Sequence, residues 1–550
     1  MRGLDRLPDL DAVVEQESAR GSAAHSYFDL KKSKRIALQR RGSARRAVRV
    51  EGGSGEIMVV SGWSGERKER RVLRTRAVDV SLWEAVLPPE VLRLPDELAR
   101  VDALLDDPVF FAPFVPFFDP RVGRPSTPME VYLRMMFLKF RHRLGYESLC
   151  REVSDSITWR RFCRIPIDGK VPHPTTLMKL TTRCGTAAVD GCNEALLAKA
   201  AEAKLLRTNR LRADTTVVPA DVAYPTDSGL LAKGIRRIAV TGRRIQAAGG
   251  ATRTLVRDRS RAAGKRAHGI AAKLRMRSAQ GKDETHAVVK RITGELADLA
   301  ERAAADAERL LSNARRALRR AQAKAEALAA AGGRDAAAGR RRGRLRRAVD
   351  DLTALLEATR QVAAQTRQRV AGITPSGATR RVSLHEGDAR PIAKGRLGKP
   401  VEFGYKAQVV DNDDGVVLDH NLEQGNPPDA PQLTPAVERV KRRTGRKPTT
   451  VTADRGYGEK RVEDDLRQAG VRHVVIPRKG KPGKARQAEE RRPAFRKTIK
   501  WRTGSEGRIS SLKRGYGWDR TRLDGTEGAR IWIGQAVLAH NLVKIGTLAG

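Results

Sequence analysis

Three acidic residues of this 550-residue chain stand apart by what surrounds them. Asp214 and Asp454 lie in or at the end of apolar runs, LRADTTVVPA and TTVTADRGYG, and Glu506 sits among Arg502, Arg508, Lys513 and Arg514 in WRTGSEGRISSLKRGYG. Such runs read as buried strands, and open α/β sheets place their sites beyond the carboxyl ends of strands. If the two strands are parallel neighbours, both carboxylates emerge at one edge and can share a cation. Mg²⁺ suits them, since it takes oxygen ligands and commonly uses one or two carboxylates together with substrate phosphates. Two such ions, on the order of 3.5–4 Å apart, activate a hydroxyl and stabilise the leaving oxygen of an in-line phosphoryl displacement. Set against this, a strand-end Asp is more often a turn former than a ligand.

Glu506 also has two readings. At about 100° per residue on one helix, Arg502, Glu506 and Lys513 fall within about 40° of a common face, while Arg508 points nearly opposite. A surface glutamate between two cations would be a weak exposed ion pair. Yet Gly504 and Gly507 each cost an exposed helix on the order of 1 kcal/mol against Ala, and close approach of a DNA backbone would give a reason for them.

The elements that must position these residues can be read from pattern. LRADTTVVPA is a short strand around Asp214; FGYKAQVV and GVVLDHNL flank the polar turn DNDDG as a β-hairpin. PQLTPAVERVKRRTG is helical, TTVTADRGYG a buried strand ending at Asp454, VEDDLRQAG helical and RHVVIPRKG a strand. A closing helix offers Ile531, Val537, Leu538, Leu542 and Ile545 for packing. This order predicts an α/β domain with a mixed sheet over 205–240 and 373–550. Residues 241–372 interrupt it with two heptad-like seams, Val289, Ile292, Leu296, Leu299 and Leu345, Val349, Leu352, Leu356, around the loop AAAGGRDAAAG. They read as a long projecting helical hairpin, Arg-rich outside, serving dimer contact, DNA backbone contact or structure alone. Residues 82–200 read as a helical N-terminal domain, for DNA binding, dimerisation or plain structure, with Gly145 as a helix stop and Thr175 or Thr176 as a cap. Residues 1–75 read as a poorly ordered basic segment, with Met58 as the expected natural start.

Lys and Arg number 108 against 64 Asp and Glu, a formal charge of +44 and an isoelectric point of about 11.0. Such a chain repels itself unless a polyanion supplies counter-charge, so nucleic acid is the expected partner. Genomic base bias explains some of the Arg but not the excess over acids. No apolar run of 18 residues and no secretory pattern is present, which predicts no membrane partner and a cytoplasmic, nucleoid-associated protein. Cys150, Cys163, Cys184 and Cys192 lack CxxC spacing, so buried free thiols are expected over a zinc site completed by His173.

DTT at 214–216, ADRGYG at 453–458 and the R-x3-E-x6-K set of Arg502, Glu506 and Lys513 resemble the DDE transposases of bacterial insertion sequences, in the insertion-sequence-four/five-like superfamily. GRPSTPMEVYLRMMFLKF and LAHNL resemble that family's N-terminal helical domain and its end, so the likeness covers roughly 100–550. The resemblance implies an RNase H-like catalytic domain in which Asp214, Asp454 and Glu506 are catalytic and bind two Mg²⁺ or Mn²⁺ ions. It implies cleavage at the terminal inverted repeats, then attack of the freed 3′-hydroxyl on target DNA, in a homodimer or higher synaptic assembly. Arg502 and Lys513 carry over as phosphate contacts; Arg455, Arg508 and Arg514 complete the expected DNA-binding set. Ile499 stands where the family often has Tyr, and the long insertion is absent from compact members. A catalytically inactive DNA-binding or bridging protein and a nuclease without strand transfer are the alternatives. Asp221, Asp227, Asp388, Asp411 and Asp419 are substitute ligands, expected to be solvated in turns and hairpin edges.

Overall fold

A computed structural model describes residues 71–77, 86–275, 282–394 and 400–550. Met58, most of the 1–75 segment and the expected domain start at Leu82 lie outside the described residues. The short strands β1 (Arg71–Val72) and β2 (Arg124–Pro125) pair parallel beside a set of helices: α1 (Pro89–Leu92), α2 (Asp96–Leu105), α3 (Met129–Arg141), α4 (Tyr146–Asp155), α5 (Ile157–Phe162) and α6 (Pro174–Glu202). Helix α3 is buried all round from Met129 to Phe140, as its near-continuous apolar sequence requires. It stops at Arg141, with Arg143 left-handed, so Gly145 is the N-cap of α4 and not the stop of α3. The cap of α6 is His173, whose Nδ1 accepts from the Thr175 amide at 3.3 Å, in place of the expected threonines.

Strand β3 (Arg210–Pro219) is central in a mixed six-stranded sheet with β4 (Arg390–Ala393), β5 (Val401–Asp411), β6 (Val417–Gln424), β7 (Thr450–Ala453) and β8 (His473–Val475). On one side β3 runs antiparallel to β5, which pairs with both β4 and β6; on the other it runs parallel to β7, which is parallel to β8. An antiparallel hairpin joined to a parallel edge brings β3 and β7 side by side with the same polarity.

Between β3 and β4 the chain forms α7 (Asp227–Ala247), α8 (Ser260–Arg275), α9 (Lys282–Ala330) and α10 (Ala336–Val370). The helical segment thus begins at Asp227, before the expected 241, because Leu230, Leu231, Ile235 and Ile238 bury a stripe of α7 against the later helices. With α8 also packed in, α9 and α10 belong to a four-helix layer with its own core. The carboxylate of Asp335 caps α10, accepting from the Ala337 and Ala338 amides at 2.9 Å each.

The β8 side continues through α11 (Ala430–Thr444), α12 (Lys460–Gln468), α13 (Lys484–Arg491), α14 (Pro493–Arg502), α15 (Gly504–Tyr516) and α16 (Gly525–Ala549). Helix α16 packs on α2, α3, α6 and β6, so the N-terminal helices and the sheet share one core. Asn541 locks it to β6, accepting from the Val417 amide at 2.9 Å and donating to the Val417 carbonyl at 2.8 Å. Among the described residues no helix is long and apolar enough to cross a membrane.

Candidate active site

The last parallel pair of β3 and β7 is Ala213 with Ala453, so Asp214 and Asp454 are the next residue on each strand. Asp454 turns the chain into a 3₁₀ segment, Arg455–Tyr457, by accepting from the Gly456 amide at 2.8 Å. Asp214 accepts from the Thr215 amide at 2.8 Å, from Ser505 Oγ at 2.9 Å and from Arg502 Nη1 at 3.3 Å. Burial pushes the Asp214 carboxyl above its ordinary value, and the Asp454 carboxylate adds to the rise. The bonds from Ser505 and the Thr215 amide, with the Arg502 charge, oppose it. Beneath the pair, buried Tyr457 takes a 3.0 Å hydrogen bond from Gln408, and burial raises its phenol well above the usual range.

A further carboxylate, Asp429, stands at the N-terminus of α11, in a stretch, NPPDAP, that carries no sequence pattern marking it as part of a site. A Cβ on Gly456 would stand 3.0 Å from Asp454 Oδ1 and 3.2 Å from Asp429 Oδ2, so glycine keeps open a small space rimmed by two carboxylates. Lys406 Nζ lies 2.7 Å from the other Asp429 oxygen. All these donors are carboxylate oxygens, and at Asp214 the one cation in reach among the described residues is Arg502, paired at 3.3 Å, so the three acids outnumber their cations and fit a hard divalent cation. Glu506 does not complete the set. It is exposed and its side chain makes no hydrogen bond or ion pair among the described residues, and no group of three metal-ligating side chains converges among them.

Arg502 and Glu506 are not on one helix. Helix α14 ends at Arg502 and α15 begins at Gly504, because the Thr503 amide bonds to Lys500 O and the Glu506 amide to Thr503 O, a switch to i−3 partners that breaks the α-helical ladder. The break turns Arg502 and Ser505 onto Asp214 and leaves Glu506 outward. Arg508, expected among the DNA contacts, turns inward, with Nε 3.3 Å from Asp411 and Nη1 3.3 Å from His540 Nε2. Lys513 is half-buried and Arg514 exposed, its guanidinium on Ser510 Oγ. Arg455 is exposed and makes no ion pair among the described residues.

A buried network sets the α14–α15 junction. Arg212, two residues before Asp214, holds Asp411 on the neighbouring strand through Nε and Nη2 at 2.8 Å each. Its Nη1 donates to the Trp501 carbonyl at 3.1 Å, and its guanidinium lies 4.9 Å from the Trp501 ring centre. This explains Gly504, where a Cβ would lie 2.1 Å from Arg212 Nη1. Arg212 is held at both ends and cannot give way. Gly504→Ala should therefore cost about 1–3 kcal/mol in chemical denaturation. Gly507 has nothing within 4 Å of such a Cβ, so Gly507→Ala should instead stabilise, by about 0.5–1 kcal/mol. If a DNA backbone approaches there, the same variant binds DNA more weakly.

The substitute acids are engaged elsewhere. Asp221 pairs with exposed Arg520 at 3.2 Å, and Asp388 accepts from the amide and hydroxyl of Thr526 at 2.8 Å each. Asp227, Asp411 and Asp419 are buried, not solvated as expected: Asp227 meets Gln365 and Arg380, Asp411 meets Arg212 and Arg508, and Asp419 meets Arg439 and Arg443. All four cysteines are free thiols; Cys163, Cys184 and Cys192 are buried.

Two family models match this chain. The Transposase domain (DUF772) spans 89–183, and the Transposase DDE domain spans 374–542, which includes Asp454 and Glu506; Asp214 lies between the two ranges. A relative from Rhizobium meliloti, uncharacterized protein ORF8 in the nfe locus, is 26% identical over 151 residues, covering 26% of this chain and 70% of the relative. No solved structure matches. DDE transposases are DNA-binding nucleotidyl-transfer enzymes that generally depend on divalent metals. The two transposase domains, carried in this order on one chain, indicate a DDE-type transposase of insertion sequences.

Proposed function

We propose that this protein cleaves DNA at the ends of its insertion sequence and joins the freed 3′ ends to target DNA. Asp214, Asp454 and Glu506 are the catalytic and metal-holding carboxylates of an RNase H-like domain formed by 205–226 and 373–550, the expected 205–240 being shortened by the start of α7. The observation that carries this reading is the placement of Asp214 and Asp454 side by side where the parallel pairing of β3 and β7 ends, with Ser505 of the Glu506-bearing helix bonded to Asp214. Divalent ions, Mg²⁺ or Mn²⁺ and two in number, would supply a Lewis acid for phosphoryl transfer when held by these residues. Arg502 and Ser505 orient the Asp214 carboxylate and favour its ionised form. Arg455, Lys513 and Arg514 offer cations to phosphates, and Arg502 becomes a phosphate contact only on leaving Asp214. Glu506, one residue beyond Ser505, joins the site through a rearrangement of the first turn of α15. Two DNA ends must be held together, so the active form is a dimer or larger assembly, working where the cell's DNA lies.

The outward position of Glu506 favours a second reading, a DNA-bridging protein without chemistry. Linear DNA carrying the flanking inverted repeats, incubated with the protein and Mg²⁺ or Mn²⁺, separates the cases. Nicked and joined products support the transposase, nicks without joining a nuclease, and a bound but intact duplex the bridging protein. Full activity in Asp454→Ala would remove the site assignment.

A further inference from the structure

The α9–α10 hairpin divides sharply by charge. Its outer part, residues 313–347, holds twelve Lys and Arg against two acids, whereas its inner part, 282–312 with 348–370, holds eight against ten. A genome-wide Arg bias would load both parts. Five of the inner cations are paired among the described residues, such as Arg291 with Glu295 at 2.7 Å and Arg367 with Glu301 at 3.0 Å, and the inner Asp351 takes Arg244 of α7 at 3.1 Å. In the outer part Arg316, Arg319, Arg320, Lys324, Arg334, Arg340 and Arg344 are exposed and make no ion pair among the described residues. Like charges recur at i and i+4, as in Arg316 with Arg320 and Arg340 with Arg344, a pattern that weakens an isolated helix.

The outer part touches the rest of the helical layer only at its base among the described residues. The Gly249–Gly250 turn after α7 sits on Arg341 and Leu345, and buried positions end at Ala314 on α9 and Leu345 on α10. Beyond them α10 continues for roughly 14 Å and α9 for roughly 24 Å, at 1.5 Å per residue. That is room to follow about seven phosphates of one DNA strand.

We propose that residues 313–347 form an arm that binds the phosphate backbone of double-stranded DNA, outside the carboxylate site. The inference rests on the reading of the protein as DNA-acting and adds the surface that grips the duplex. The contact is electrostatic and reads no sequence. A polyanion removes the repulsion among the outer arginines, which the inner part avoids through its own ion pairs.

The test uses the full chain and a duplex of unrelated sequence, with affinity measured against salt. The variant R316Q/R320Q/R340Q/R344Q should make the slope of log K against log[salt] shallower by about 3.6, since each phosphate neutralised contributes about 0.9. The matching Arg→Lys variant should keep the wild-type slope. In an otherwise wild-type chain, a photo-crosslinker at Leu328→Cys, a position 41% exposed near the tip, should capture the duplex, which keeps the idea testable if the glutamine variant fails to fold. An unchanged slope in the folded glutamine variant, or no crosslink while the duplex is bound, overturns the arm alone. A wild-type chain that binds no duplex overturns both the arm and the reading beneath it.

Discussion

Asp214→Asn should reduce DNA nicking by roughly 10³-fold or more, about 4 kcal/mol of transition-state stabilisation, while its melting temperature at pH 7 holds or rises. Loss of activity with retained stability is what separates a catalytic carboxylate from a structural one. Burial is the main cause of the raised Asp214 pKa, and Asp454 adds to it. A carboxyl raised in this way contributes stability that is fully present below its unfolded pKa, near 3.8, and is lost as pH rises through the raised folded value. At pH 7 the ionised group therefore works against folding, and an amide of the same shape removes that cost. Asparagine keeps an oxygen for the Thr215 amide or Ser505 and gives up the 3.3 Å pair with Arg502. The same logic gives Mg²⁺ a purpose at this pair. Added Mg²⁺ should raise the wild-type melting temperature, more at pH 7 than at pH 5, and should do so much less in Asp214→Asn. Nicking retained by the variant, or an equal Mg²⁺ shift in both proteins, would move the site elsewhere.

The parts of this site that the sequence discloses are those whose physics is local. Alternating apolar residues around Asp214 and the small-residue run before Asp454 mark two strands, and the Asp-Gly turn between FGYKAQVV and GVVLDHNL marks the hairpin between them in the chain. The break between Arg502 and Gly504 leaves no such mark. Thr503 there keeps right-handed helical angles, and counting 100° per residue carries the helix straight through it. The Arg212–Asp411 pair spans 199 residues, and each member by itself resembles an ordinary strand-edge charge. An Asp in a hairpin is usually solvated, but Asp411 and Asp419 each meet two arginines from distant elements. Gly504 shows the same limit: the sequence signals that a side chain is excluded there, and only the fold shows that Arg212 excludes it.

Removing the acid at the centre of that network should produce the largest loss of stability. Asp411 is almost wholly buried and accepts from Arg212 at 2.8 Å and Arg508 at 3.3 Å. Asp411→Ala leaves two guanidinium groups facing each other away from water, and breaking a buried pair this way costs about 3–5 kcal/mol. Chemical denaturation should report that loss. The triple variant R212M/D411L/R508M removes every charge at once, and apolar replacement of a buried ionic cluster is often close to neutral, so much of the stability should return. Nicking should not return with it. Among the described residues Arg212 is the side chain that links β3 to the Trp501 carbonyl, and Arg502 and Ser505, which hold Asp214, follow that carbonyl within four residues. Recovery of stability without activity therefore assigns Arg212 the task of holding the α14–α15 junction over the carboxylates. Recovery of both would make the network packing alone and leave the junction to be fixed by its contacts with the sheet.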